Sequence, residues 1–327
     1  MNLKNFWAHL RLYDRLTFAY LWLTLLLVVF SPKPIPVRER IIVSHITVSF
    51  IIIFFIYWGQ LRSKTHRHYV SPRWLRFLRD WHPLFWFTFL FFGEFTYLAN
   101  LVFPYWIENS LIHFDLWLFG QPPHQFIETH ASAWLVEFMA FAYWSYYPIL
   151  LGVAGWYYLF RAENDAHPNA EKMTFIDITN KLCCTFYLCY ILFMLMPARS
   201  PRHALNLNEH LNLNGGQFFN MIATLQNYVS VVGAAFPSSH VAVAWVAVMT
   251  LRDEYRLAFW SLMPLVIALT VSIFILQYHY MLDAVAGVIL ALVFEFFWRR
   301  YYQRHVTFIS TNLQPSLATR RAANSLT

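Results

Sequence analysis

The chain has 327 residues, 58% of them hydrophobic and 13% charged, with a mean hydropathy of +0.42. Soluble domains carry about 25% charged residues, so the composition excludes an ordinary soluble protein and indicates a polytopic membrane protein. The net charge of +7 fits membrane orientation rather than a nucleic-acid partner, because the basic residues flank the apolar runs.

A membrane-spanning helix takes about 20 apolar residues. Runs of that kind fall at 15–31, 41–59, 82–103, 133–160, 173–197, 236–251, 257–277 and 280–298. The sequence therefore predicts an all-α, polytopic membrane helix bundle of about eight spans. Lys4, Arg11 and Arg15 precede the first run; Arg62, Lys64, Arg67, Arg73, Arg76 and Arg79 precede the third. Arg161 and Lys172 follow the fourth, Arg252 and Arg256 the sixth, and Arg299, Arg300 and Arg304 the eighth. With eight spans these share one side, which the positive-inside rule makes the cytoplasm, together with both termini. The loop at 32–40, with Lys33, Arg38 and Arg40, is the exception.

Taken in order, the first two runs (residues 1–60) read as an N-terminal two-span extension. Residues 61–81 read as a cytoplasmic basic segment. Within it Trp74, Phe77, Leu78 and Trp81 repeat at helical spacing among Arg73, Arg76 and Arg79. That is either an amphipathic helix on the lipid surface or an ordinary juxtamembrane loop. Residues 82–300 form the main membrane domain, and 301–327 a polar cytoplasmic tail.

Glu94 falls inside the third run, where a carboxyl is costly and often functional. Cys183, Cys184 and Cys189 share one apolar run and read as packing residues. In the loop at 104–131, His113, Asp115, His124, Glu128 and His130 match no standard ligand spacing, so no metal is assigned to them.

The remaining polar signals lie at the other ends of the spans. The fifth run closes in Pro197-Ala198-Arg199-Ser200-Pro201-Arg202, where Arg199 and Arg202 are either interface anchors or a phosphate clamp. Residues 217–232 are mildly amphipathic and suited to covering a cleft. Pro237-Ser238-Ser239-His240 opens the sixth run; Pro237 suits a first helical turn, whose free N–H groups attract anions. His279 and Asp283 open the eighth at i and i+4, so one carboxylate can hold one ring nitrogen and leave the other as a nucleophile. All three lie on one side of the bundle. Together they supply an anion cradle, a proton donor and an oriented nucleophile, as phosphoryl transfer through a phosphohistidine requires without a metal or other cofactor.

These residues resemble the motifs of the type 2 phosphatidic acid phosphatase superfamily. Its Pro-Ser-Gly-His motif appears as Pro237-Ser238-Ser239-His240, and its third motif as Ser272-Ile273 followed by His279 and Asp283. Ser239 stands for Gly and Ile273 for Arg, and the first motif is unmatched in spacing. Arg79-Asp80-Trp81, Asp115 with Leu118-Phe119-Gly120, and His279-Tyr280 with Asp283 and Gly287 resemble the branch containing fungal inositol phosphorylceramide synthase and its bacterial relatives.

The resemblance implies a six-helix phosphatase-like core, with His279 attacking phosphorus, Asp283 orienting it and His240 protonating the leaving oxygen. Ser238, Ser239, Arg202 and Arg199 would bind the phosphate. It implies a lipid phosphatase of a bacterial inner membrane with an extracytoplasmic site, acting on a phospholipid, sphingolipid or polyprenyl phosphate. Two alternatives stand beside it: a phosphotransferase moving inositol phosphate or a similar headgroup to a hydroxyl, and a non-catalytic lipid binder on the same scaffold.

Overall fold

The computed structural model describes residues 10–65, 73–160, 173–207 and 213–301. The basic residues Lys4, Arg67, Arg161 and Lys172, and the tail from 302 onward, lie outside the described residues. Among the described residues there is no strand; the chain is a bundle of membrane-type helices.

Helices α1 (Leu12–Phe30) and α2 (Arg38–Thr65) form an antiparallel pair. Prolines Pro32, Pro34 and Pro36 make the link between them, since each removes a backbone donor and blocks helix propagation. This link also explains the misplaced positive charges. Arg38 donates to the carbonyls of Ser31 and Lys33 at 2.9 and 2.8 Å, and Lys33 donates to the Asn100 carbonyl. Two of the three cations there serve as caps for chain ends.

Helix α3 runs from Arg73 to Trp86, passes through a π-helical turn at Phe87–Phe91, and continues from Phe92 to Leu98. The amphipathic segment is thus helical rather than a loop, the first half of a longer helix with Trp74, Phe77 and Leu78 exposed. The expected division at residue 81 falls inside this helix. Two charges of its first half, Arg79 and Asp80, face the start of α1. Arg79 makes a forked contact with the buried Asp14 of α1 at 3.0 and 2.5 Å, and Asp80 binds Arg11 at 2.6 Å.

Helix α4 (Glu108–Phe119) ends at Gly120, whose φ of 70° supplies the left-handed cap, and α5 (Pro123–His130) follows. The run at 133–160 divides at Ser145 into α6 (Ala133–Trp144) and α7 (Tyr146–Phe160). Pro148, with no N–H for the Trp144 carbonyl, accounts for the break. Helix α8 (Phe175–Leu195) starts from a capping box of Thr174 and Asp177. The short α9 (Pro201–Ala204) and the amphipathic α10 (Gln217–Val229) come next. The bundle closes with α11 (Ser239–Thr250), α12 (Arg256–Ile275) and α13 (Met281–Tyr301).

Five helices, α1, α2 through Trp58, α8, α12 and α13, are long and apolar enough to cross a membrane. The other apolar runs are a short helix, α11, and two interrupted ones, α3 and α6–α7. Helix α11 is the axis, packed against α7, α8 and α12. Apolar burial drives little association inside lipid, so close backbone approach must come from small side chains. The sequence of α11, Ser-His-Val-Ala-Val-Ala-Trp-Val-Ala-Val-Met-Thr, provides this at Ala242, Ala244 and Ala247. Gly287 of α13 extends the principle: a Cβ there would lie 2.8 Å from the Ser238 carbonyl oxygen.

At the opposite end of the bundle Lys181 of α8, 1% exposed, is bonded to Glu295 of α13 at 2.5 Å and to Thr250 of α11 at 3.0 Å. The buried pair ties the ends of α8, α11 and α13 together. Cys183 and Cys189 are buried and Cys184 half-buried, all as thiols.

Candidate active site

The site forms where three chain segments, distant in sequence, cross. The segment after α8 and the one before α11 run side by side, with Ala198 bridged to Ala234 and the Ala235 N–H donating to the Ala198 carbonyl at 3.2 Å. The Ser238 N–H then donates to the main-chain carbonyl of Asp283 at 3.1 Å, which fixes α11 against α13. Arg199 and Arg202, Ser238 to His240, and His279 to Asp283 are brought to one end of the bundle.

Local structure sets the start of α11. Ser238 is the N-cap, its hydroxyl accepting from the Val241 N–H, so Pro237 precedes the cap instead of occupying the first turn. The anion-attracting end of the helix is unchanged by that shift, and Ser238 and Ser239 are both buried there.

Helix α12 ends so as to aim His279. The Ile273 carbonyl accepts both the Tyr278 N–H at 2.9 Å and the His279 N–H at 3.0 Å. Gln277 turns the chain with a φ of 57°. Ile273, at the position where the resembled motif carries Arg, is fully buried and acts through its backbone.

His279 Nδ1 lies 2.9 Å from the Ala235 carbonyl oxygen and 3.3 Å from Asp283 Oδ2. A carbonyl only accepts, so Nδ1 carries the proton and Nε2 carries the lone pair. That lone pair faces the Ser238 hydroxyl at 3.5 Å, at the mouth of α11. Asp283 is itself held in place, since its Oδ2 also accepts from the Tyr280 N–H at 3.0 Å.

His240 faces this nucleophile, with ring centroids 6.4 Å apart. Its Nε2 is 3.5 Å from the Tyr143 hydroxyl, which itself accepts from Gln226 Nε2 at 2.7 Å. Tyr143 and Tyr146 pack on the His240 ring, at 5.4 and 4.6 Å between centroids. The chain Gln226–Tyr143–His240 therefore connects α10 to the site. Helix α10 is held at its other end by Glu137 of α6, whose carboxylate accepts from the N–H groups of Gly216, Phe218 and Phe219 at 2.8, 2.8 and 3.0 Å.

The two arginines separate in role. Arg202 lies over the Tyr278 ring at 4.4 Å and donates through Nε and Nη2 to the Leu276 carbonyl. Tyr278 packs on Tyr143 at 5.0 Å, so Arg202 adjoins the histidine cluster. Arg199 points instead to Glu108 of α4, at 2.7 and 2.5 Å, and lies over Trp106. His203, bridged to Ser200 at 2.8 Å and Ser230 at 3.1 Å, is held below the usual imidazole range by burial and by Arg202 and Arg199.

Sequence reasoning missed Tyr143, Gln226 and Glu137 as parts of the site, because each lay in an apolar or loop run with no local pattern. It placed Asp115 among scattered polar residues. Asp115 in fact accepts from the Met281 N–H at 3.2 Å, capping α13 two residues before Asp283. Burial pushes its carboxyl up to about 7 against the opposing effect of that hydrogen bond, with the Asp283 charge adding to the rise.

The fold is a helical membrane bundle that sets an imidazole, held by a carboxylate, at an anion-attracting helix end. Residues 109–296 match the family model of the PAP2 superfamily, and the chain belongs to that superfamily. Its members are generally phosphatases or phosphotransferases acting on lipid phosphates. No curated protein and no solved structure matches the chain.

Proposed function

We propose that this protein is an integral membrane lipid phosphatase working through a phosphohistidine on His279. The observation that carries the reading is the fixed tautomer of His279, with Nδ1 bound to Ala235 and Asp283 and Nε2 aimed at the mouth of α11.

His279 Nε2 attacks phosphorus, forming an N–P bond as the bond to the lipid oxygen breaks. His240 gives its proton to that leaving oxygen. Asp283 stabilises the imidazolium that His279 becomes. Ser238, Ser239 and the first N–H groups of α11 bind the phosphate oxygens, and Arg202, already beside Tyr278, adds a cation. Water then attacks phosphorus, loses its proton to His240 and releases phosphate as the N–P bond breaks. Arg199 assists at the rim only if it leaves Glu108. The site lies at the extracytoplasmic face in this reading, because the loops rich in Lys and Arg are at the other ends of the spans.

A phosphotransferase differs only in the second step, where a lipid or sugar hydroxyl replaces water. The burial of His279, 7% exposed, favours it by shielding the intermediate from water. Purified protein supplied with phosphatidate or a polyprenyl diphosphate tests both: hydrolysis releases inorganic phosphate, and transfer moves labelled headgroup to an added alcohol. Neither product from any lipid phosphate leaves the scaffold as a binder and refutes the enzyme reading.

A further inference from the structure

Glu94 and its surroundings are unused by the chemistry above, and they lie outside the residues that match the family. Glu94, on α3 just after the π-helical turn, is 6% exposed, and its carboxyl faces the polar side chains of His45, Tyr20 and Ser44. The Tyr20 hydroxyl of α1 is equally buried. His45 of α2, 1% exposed, sets Nε2 3.4 Å from Glu94 Oε2 and 3.0 Å from the Thr24 hydroxyl. A π turn carries one extra residue and rotates the helix beyond it. Here it lays Phe91 parallel to the His45 ring and against Tyr20, and turns Glu94 inward.

Counting protons defines the pair. His45 Nδ1 is 2.7 Å from the Ile41 carbonyl, so it carries hydrogen. His45 Nε2 lies between the Thr24 hydroxyl at 3.0 Å and Glu94 Oε2 at 3.4 Å, so a proton there can sit on the ring or on the carboxyl. The facing groups complete the set. Arg40 and Ser44 stand on α2, with Ser44 donating to the Ile41 carbonyl, and Tyr187 and Tyr190 of α8 pack on Tyr20. A buried ion pair is costly at membrane depth unless a proton can neutralise it.

We propose that His45 and Glu94, with Tyr20 and Thr24, form an intramembrane proton-binding site separate from the phosphatase site. One proton is held by the pair. On His45 Nε2 it leaves Glu94 a carboxylate; crossing 3.4 Å, the N–H bond breaks, an O–H bond forms and both groups are neutral. Loss of that proton to water leaves neutral His45 beside the Glu94 carboxylate. The site links α1 and α2 to α3, so its occupancy acts on the packing of the N-terminal pair.

The test is infrared difference spectroscopy on the purified full chain in detergent, titrated with acid and base at fixed sodium and potassium. The carbonyl stretch of a buried protonated carboxyl should appear and vanish with pH, shift in heavy water, and be absent from Glu94→Gln. In His45→Gln its midpoint should move, because the partner imidazole is gone. Circular dichroism confirms that each variant is folded. No titrating band in the parent, or a band that persists in Glu94→Gln, overturns the proposal. A band displaced by added sodium at constant pH makes this a metal-cation site and overturns it equally. Phosphate release is not a readout, so the outcome is independent of the catalytic reading.

Discussion

The imidazoles of His240 and His279 lie 6.4 Å apart, centroid to centroid, with an interplanar angle of 61°. His240 stands in the first turn of α11 and His279 in the turn between α12 and α13, and each is held by a different partner. Asp283 and the Ala235 carbonyl hold His279, while Tyr143 meets His240. The gap suits a phosphoryl group between a nucleophile and an acid, provided both rings stay where these partners put them.

Tyr143→Phe tests the hold on His240. The substitution keeps the ring packing, removes the hydroxyl at Nε2 and strands the Gln226 amide. Turnover should fall about tenfold, or roughly 1.4 kcal/mol of barrier, with KM little changed. The limb of the pH–rate profile belonging to the acid should move. A variant with the parent's profile would show that Tyr143 only fills space.

Gly287→Ala separates geometry from stability. Its Cβ would sit 2.8 Å from the Ser238 carbonyl oxygen and 3.0 Å from Val241. Overpacking of this kind costs about 1–3 kcal/mol. It also pushes α13 from the start of α11, so Asp283 and Ser238 part. Thermal unfolding should show a modest loss, and phosphate release a much larger one. Equal, small effects on both would mean that the contact between α11 and α13 is not needed for chemistry.

Asp115 gives a pH dependence with a definite sign. An ordinary aspartate titrates at about 3.9, and in the folded protein Asp115 is raised to about 7. Between those values the folded state binds the proton that the unfolded state has lost. Stability therefore falls as pH rises through this window and is lower, but level, above it. Asp115→Asn keeps an acceptor for the Met281 N–H and cannot ionise. Its melting temperature should exceed the parent's at pH 8 and match it near pH 4. A parallel pair of melting curves across that range would contradict the assignment.

The bundle was legible because lipid imposes long apolar runs, and those runs are counted directly in the sequence. The convergence of the two histidines was legible for the same reason: alternating spans assign loop ends to one side. What stayed hidden has the same physical origin. The interruptions at Phe87–Phe91 and Ser145 replace no polar residue and barely alter hydropathy. The partner of Arg199 was hidden because Glu108 opens α4, far away in sequence. Tyr143 and Gln226 carry no spacing signature, since their pairing is made between helices.

Lys181 tests the opposite end of the bundle. Removing one partner of a buried ion pair costs up to about 3–5 kcal/mol, and less where the remaining charge keeps a second partner, as Glu295 keeps Arg299. Lys181→Met should therefore unfold at a clearly lower temperature, and adding Glu295→Leu should restore most of the loss. If the double variant is as weak as the single, Arg299, which also binds Glu295 at 2.8 Å, carries the interaction.

The most direct measurement is rapid quench of the purified protein with a lipid phosphate labelled at phosphorus, followed by peptide mapping. A phosphohistidine mechanism predicts label that is stable to base and lost in acid, located on the peptide containing His279, and absent from His279→Ala. Release of phosphate at the parent's rate by His279→Ala, or label carried by any other residue, would contradict it.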